Sequence, residues 1–130
     1  MDQFTDFLSV SAGAVAGAGV RWLMLTRLVA IKPWATFIVN VVGTLILGVM
    51  YGVSSKLTSK TTLFIGTGFC GSLTTFSSLC YDALALIQQG DYLQTFLYLF
   101  FSFLAGMLIV AFGVFIGSSA LAHSPVLDSK

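Results

Sequence analysis

Apolar residues fill this chain in long, nearly unbroken runs, without the alternation of a half-buried strand or the polar face of a soluble helix. A helix needs roughly 20 apolar residues to cross a bilayer. Four stretches meet that length, at about 4–29, 34–53, 61–88 and 92–121. The breaks between them are short: Lys32-Pro33, Ser54 to Lys60, and Gln89-Gly90-Asp91. Pro33 suits the first turn of the second helix and Gly90 the C-terminal end of the third. Such short connections predict antiparallel neighbours, and hence one all-α integral membrane domain over residues 1–130.

Composition strengthens that reading. Only 8% of residues are charged against 57% hydrophobic, where a soluble domain carries about a quarter charged. With mean hydropathy at +0.97, a chain this short has no interior large enough for its apolar surface, whereas a bilayer does. Membrane lipid is therefore an expected partner, and the cell membrane, crossed several times, the expected location. Asp2 and Asp6 stand where a secretory leader carries Lys or Arg, so no cleaved leader is expected. The net charge of +1 and dispersed Lys and Arg point to no nucleic acid. Cys70 and Cys80 lack metal-type spacing and read as small membrane-helix residues. The one His, His123, lies in the tail and Glu is absent. No nucleophile–base–acid set can be assembled, so an enzyme is not expected.

Charge is nearly balanced across the membrane. Lys56, Lys60 and Lys130 fall on one side; Arg27 and Lys32 fall on the other, joined by Arg21 if it faces that way. The positive-inside rule gains little purchase from such a tie. Insertion in both orientations, with an antiparallel dimer, and ordinary single insertion both remain open. Small residues four apart, Gly13/Gly17, Ala14/Ala18 and Gly113/Gly117, form seams along which helices approach closely, while Gly43 and Gly48 thin the second helix. Four helices alone make a thin wall around any path, so oligomerisation is expected.

Several polar residues need a reason to sit in hydrocarbon. Residues 68–78, Gly-Phe-Cys-Gly-Ser-Leu-Thr-Thr-Phe-Ser-Ser, place two glycines and five hydroxyls inside the third span. Glycine weakens helical backbone and clustered hydroxyls compete for its hydrogen bonds. A break at this depth must be buried in protein or line a wet cavity. Arg21, followed by Trp22, either snorkels to the interface or faces a vestibule and draws anions. Asn40, with Thr36 one turn earlier, is either glue between helices or an amide donor to a permeating anion. Asp82 reads as a helix-end or interfacial residue. Phe76 stands between Thr74-Thr75 and Ser77-Ser78; a phenyl ring has a positive edge, and ring edges beside hydroxyls suit a small anion. Carbonyls freed by a break around Gly71 to Thr74 suit a cation equally well.

The residues that carry these features resemble the Fluc (CrcB) family of small fluoride channels over nearly the whole chain. Gly13-x-x-x-Gly17-x-x-x-Arg21-Trp22 is similar to its first-helix signature, and Thr36-x-x-x-Asn40-x-x-Gly43 to its second-helix motif. The specific match is Gly68-Phe69-Cys70-Gly71-Ser72-Leu73-Thr74-Thr75-Phe76-Ser77, which follows the family's third-helix break. The resemblance implies an antiparallel, dual-topology dimer with two pores that pass fluoride passively out of the cytoplasm. It implies that Gly71 and Thr74 give backbone carbonyls to a structural Na⁺ on the dimer axis. Asn40 is then the pore amide, Phe76 a pore-lining ring, and Ser77 with Ser78 part of a polar track. Thr36 belongs with them at the anion path, and Arg21 at a vestibule.

Departures from the family pattern are informative. Leu79 stands where a second pore phenylalanine belongs, Ser72 where a second break glycine belongs, and Asp82 where the family has Glu. On the fourth helix the positions expected to carry Tyr, Ser and Thr align with Leu99, Phe103, Met107 and Ala111; Tyr98 and Ser102 are one position off. The expectation is either a homodimer or one half of a heterodimer with a paralogous subunit. Two rival classes are a proton-coupled exporter of the small multidrug type and a non-transporting scaffold. The first needs an intramembrane carboxylate in the first helix, where this chain has Arg21; the second has no use for a hydroxyl-rich break.

Overall fold

A computed structural model describes residues 3–122; His123 and Lys130 lie outside the described residues, as does part of the loop-charge tie. All regular structure among the described residues is helical: α1 (Gln3–Arg27), α2 (Trp34–Gly52), α3 (residues 59–73), α4 (Phe76–Gln88) and α5 (Tyr92–Ala122). Single 3₁₀ turns at Val29–Ile31 and Ser54–Lys56 join α1 to α2 and α2 to α3. With α3 and α4 sharing one crossing, four segments are long and apolar enough to span a membrane. The expected spans agree with these elements to within two residues at each end. Pro33 directly precedes α2. Gly90 ends α4 with φ of 81°, where its N–H reaches the Ile87 carbonyl at 3.0 Å and the Asp91 N–H the Leu86 carbonyl at 3.0 Å. A side chain would strain that left-handed turn.

Packing runs along the glycine seams. A Cβ placed on Gly13 would collide with the Phe64 carbonyl, and one on Gly17 with the Phe69 carbonyl, so α1 lies backbone to backbone on α3. A Cβ on Gly113 would lie 2.8 Å from the Leu45 carbonyl and 3.0 Å from the Gly48 Cα, and so α5 lies equally close on α2. Lipid supplies no hydrophobic push between helices, so this close dispersion contact is what holds the bundle. The outward surface is apolar, with Phe7, Val15, Leu93, Met107 and Phe115 all exposed, as suits chains solvated by acyl groups.

The third crossing is less disrupted than its composition suggests. Only Thr74 (φ −73°, ψ 154°) and Thr75 (φ −149°, ψ 113°) leave the helical region. Before them, Leu63–Cys70 is wound wide, as a π-helix, and the Gly71 N–H bonds to the Gly66 carbonyl five residues back. The hydroxyls on the helical side do not compete with the ladder. Ser72 Oγ donates to the Ala14 carbonyl of α1 at 2.8 Å, and Thr74 Oγ1 to the Cys70 carbonyl at 3.0 Å. The break is therefore a two-residue extended step between two helix ends.

Candidate ion path

That step leaves helical groups without their usual partners, and Asn40 of α2 meets them. In a continuous helix each N–H bonds the carbonyl four residues back. The Thr75 N–H instead donates to Asn40 Oδ1 at 2.7 Å, and Asn40 Nδ2 donates to the Thr75 carbonyl at 3.2 Å. The Ser78 N–H, next in need of a carbonyl, donates to Thr75 Oγ1 at 3.1 Å, so Thr75 is the N-cap of α4. No N–H of residues 75–78 is bonded to a main-chain carbonyl across the step, so the carbonyls of Gly71, Ser72, Leu73 and Thr74 are all without their i+4 donors. Gly71 is exposed, with only the Gly66 carbonyl near the position a Cβ would take, at 3.9 Å. Among the described residues no group of three or more His, Cys, Asp or Glu is placed to hold a metal, so a cation here would rely on main-chain oxygen.

Asn40, Thr74, Thr75, Phe76, Leu79, Ser102, Phe103 and Gly106 line a depression of about 260 Å³. Phe76, part of that lining, is 69% exposed. Thr75 Oγ1 donates to Ser78 Oγ at 3.1 Å and is 3.1 Å from Ser77 Oγ, which gathers three hydroxyls at the first turn of α4. Ser77, exposed, and Ser78, half-buried, are not part of the lining.

Thr36 and Arg21 lie elsewhere. Thr36 is 2% exposed and its hydroxyl donates to Asp82 Oδ2 at 2.5 Å. Tyr98 Oη donates to the same oxygen at 3.5 Å. Asp82 is therefore not a solvated helix-end residue: it is 7% exposed, inside a triad shared by α2, α4 and α5. A carboxylate taken out of water needs such donors. Arg21 is half-buried on α1, two turns before its end, beside the exposed Trp22. It lines none of the depressions described here.

The fourth span turns Tyr98 and Ser102 inward beside the positions the motif alignment favoured, of which Leu99 packs against the core and Phe103 also lines the depression. Thr95, Tyr98, Gly113 and Gly117 are buried, and Ser102 faces the depression, while Met107 and Phe103 are exposed. Ser102 Oγ donates to the Tyr98 carbonyl at 2.6 Å. Tyr98 and Ser102 thus restore hydroxyls to the packed face, and the helix needs no rotation. A readable signal for this face was the spacing Thr95, Tyr98, Ser102, Gly106, Gly113 and Gly117, which follows helical periodicity. Leu79 is 5% exposed, packed with Ala83, Leu86 and Tyr98.

Comparisons with known proteins agree with this architecture. Residues 8–114 match the family described as CrcB-like protein, Camphor Resistance (CrcB). The chain is 38% identical over 119 residues to the fluoride-specific ion channel FluC of Prosthecochloris aestuarii, covering 87% of this chain and 93% of that one. It is 34% identical over 120 residues to the protein of the same name from Chlorobium chlorochromatii, covering 88% and 93%. A third, from Bacteroides fragilis, is 42% identical over 87 residues, covering 65% and 68%. With four crossings, a backbone step in the third, and a match over most of its length, the chain is a multi-pass membrane protein that belongs to the CrcB family.

Proposed function

We propose that this protein is a passive, fluoride-selective ion channel that lets cytoplasmic fluoride leave the cell, and that it is not an enzyme. The observation that carries the reading is the depression where the Asn40–Thr75 lock, the Phe76 ring and Ser102 converge. Its lining offers the second Nδ2 hydrogen of Asn40 and the Phe76 ring, but no cationic side chain. Such donors hold a small anion weakly, and weak binding allows rapid exit. The relatives named as fluoride-specific channels support fluoride as that anion.

The path is completed by a second copy in antiparallel, dual-topology arrangement. A depression open along one side cannot enclose an ion, and Phe76 needs an opposing wall. Arg21 then raises the anion concentration near a mouth, and Thr36 acts on the path through Asp82. Ser77 and Ser78 extend the hydroxyl track through Thr75. Na⁺ is the structural cation: the diverted N–H groups leave the Gly71 and Thr74 carbonyls free to hold it, and main-chain oxygen suits a hard monovalent ion. Bound there, the ion supplies fixed positive charge between the subunits.

Leu79 favours a second form of the same reading, in which the partner is a paralogous chain that supplies the missing ring. Tyr98 and Ser102, turned inward, weaken the part of that case that rests on the fourth helix. The test is fluoride efflux from liposomes containing this chain by itself, with chloride as the comparison ion. Selective passive fluoride flux supports a homodimeric channel. Flux that appears only with a co-expressed paralogue supports the heterodimer. Proton-coupled cation uptake, or no flux in either case, overturns the proposal.

A further inference from the structure

At the end of the bundle where α4 turns into α5, a depression of about 490 Å³ is lined by Trp34, Asp91, Tyr92, Gln94 and an apolar strip, Leu93, Leu97 and Phe101. Trp34 opens α2 and Tyr92 opens α5, which places both rings at the water–hydrocarbon boundary. Trp34 packs edge-on against Phe37 and Tyr98, with centroids 5.9 and 6.1 Å apart, and so is braced from the bundle side. The Asp91 main chain is used, its carbonyl accepting from the Thr95 N–H and Oγ1 at 2.9 Å. Its exposed carboxylate forms no ion pair with any described residue.

A carboxylate that shares a depression with two aromatic side chains is complementary to an ammonium group, which gains from the charge and from any ring face it meets. Leu93, Leu97 and Phe101 recur every four residues, so they form one stripe down α5 from that polar end into the hydrocarbon. Gln94 also borders a neighbouring depression of about 280 Å³ that contains Lys32. An acidic group beside two aromatic side chains for an amine and a stripe for an acyl chain therefore border the same depression, with the Lys32 cation in the neighbouring one. We propose that this face is a binding site for a zwitterionic phospholipid with an ammonium headgroup. The ammonium sits on Asp91 beside Trp34 and Tyr92, and one acyl chain lies along Leu93, Leu97 and Phe101. The site does not depend on which ion the protein conducts.

The test uses the full chain, purified in mild detergent and stripped of lipid. Its thermal unfolding is titrated with phosphatidylethanolamine or phosphatidylglycerol of identical acyl chains, and oligomeric state is followed in parallel. The expected result is that phosphatidylethanolamine stabilises at concentrations at least about five-fold lower than phosphatidylglycerol. Asp91→Asn, which keeps the main-chain cap, and Trp34→Leu should each erase that preference, while Asp6→Asn should keep it. Equal titrations for the two lipids in the unmodified chain would overturn the proposal. So would a preference that survives Asp91→Asn. An Asp91→Asn change that shifts the oligomeric state but leaves the lipid preference intact would identify the face as a subunit contact instead.

Discussion

The Asn40 side-chain amide and the Thr75 peptide unit are paired reciprocally, at 2.7 Å through the Thr75 N–H and 3.2 Å through its carbonyl. The pair does for a broken membrane helix what the next turn would otherwise do. It also orients the amide: Oδ1 is committed to the break, and one Nδ2 hydrogen remains for the depression. Replacing Asn40 with Ala should leave both Thr75 main-chain groups unpaired in a half-buried site, at a cost of about 1–3 kcal/mol for each. Asn40→Ala should lower the unfolding temperature in detergent and abolish fluoride flux; normal values of both would remove Asn40 from its role.

Phe76 differs because it is mostly exposed. Phe76→Ile should therefore leave folding and assembly intact, as judged by gel filtration and thermal unfolding. Fluoride flux should fall by about ten-fold or more, since an aliphatic side chain has no positive edge. Unchanged flux would return Phe76 to a packing role.

Thr36 and Asp82 form the test of the buried triad. Thr36→Val deletes the closest donor to a carboxylate with little access to water, and should destabilise the protein by about 1–3 kcal/mol. Thr36→Ser should restore most of it. Combined with Asp82→Asn in a double-mutant cycle, the pair should show a coupling of about 0.5–3 kcal/mol in thermal unfolding; additive effects would mean that the contact contributes nothing.

The glycines separate by what faces them. Gly13→Val should prevent α1 from seating on α3, because its Cβ would meet the Phe64 carbonyl. Gly106→Ala, where nothing lies within 4 Å, should be tolerated or stabilise by about 0.5–1 kcal/mol through helix propensity. Yield and monodispersity after detergent extraction distinguish the two.

Leu79→Phe restores the family's aromatic position but enlarges a side chain that is 5% exposed. It should cost about 1–3 kcal/mol of stability. If the lone chain conducts, the substitution should raise its flux. If the chain works only beside a paralogue, it should bring flux to the lone chain.

How far the sequence is legible depends on the range of the interaction. Span lengths, the Gly90 turn and the Gly13/Gly17 and Gly113/Gly117 seams were readable, because hydrophobic length, left-handed backbone and the absence of a Cβ act locally. That the third crossing is interrupted within residues 68–78 was also readable. The break's extent was not: Ser72 and Thr74 find acceptors on Ala14 and Cys70, which spares the helix and confines the extended step to Thr74 and Thr75.

What the sequence determined by itself is a four-crossing membrane protein with a polar break in the third crossing, since a bilayer admits little else for chains this apolar. Tertiary structure alone decided which polar groups meet. Asn40 reaches Thr75 across 35 positions and Thr36 reaches Asp82 across 46. It also turned Tyr98 and Ser102 inward, because the glycines of α5 fix that helix's rotation against α2. Hydrogen bonds in hydrocarbon are satisfied by whatever neighbour packing brings within reach, and motif spacing along one helix carries no record of that neighbour.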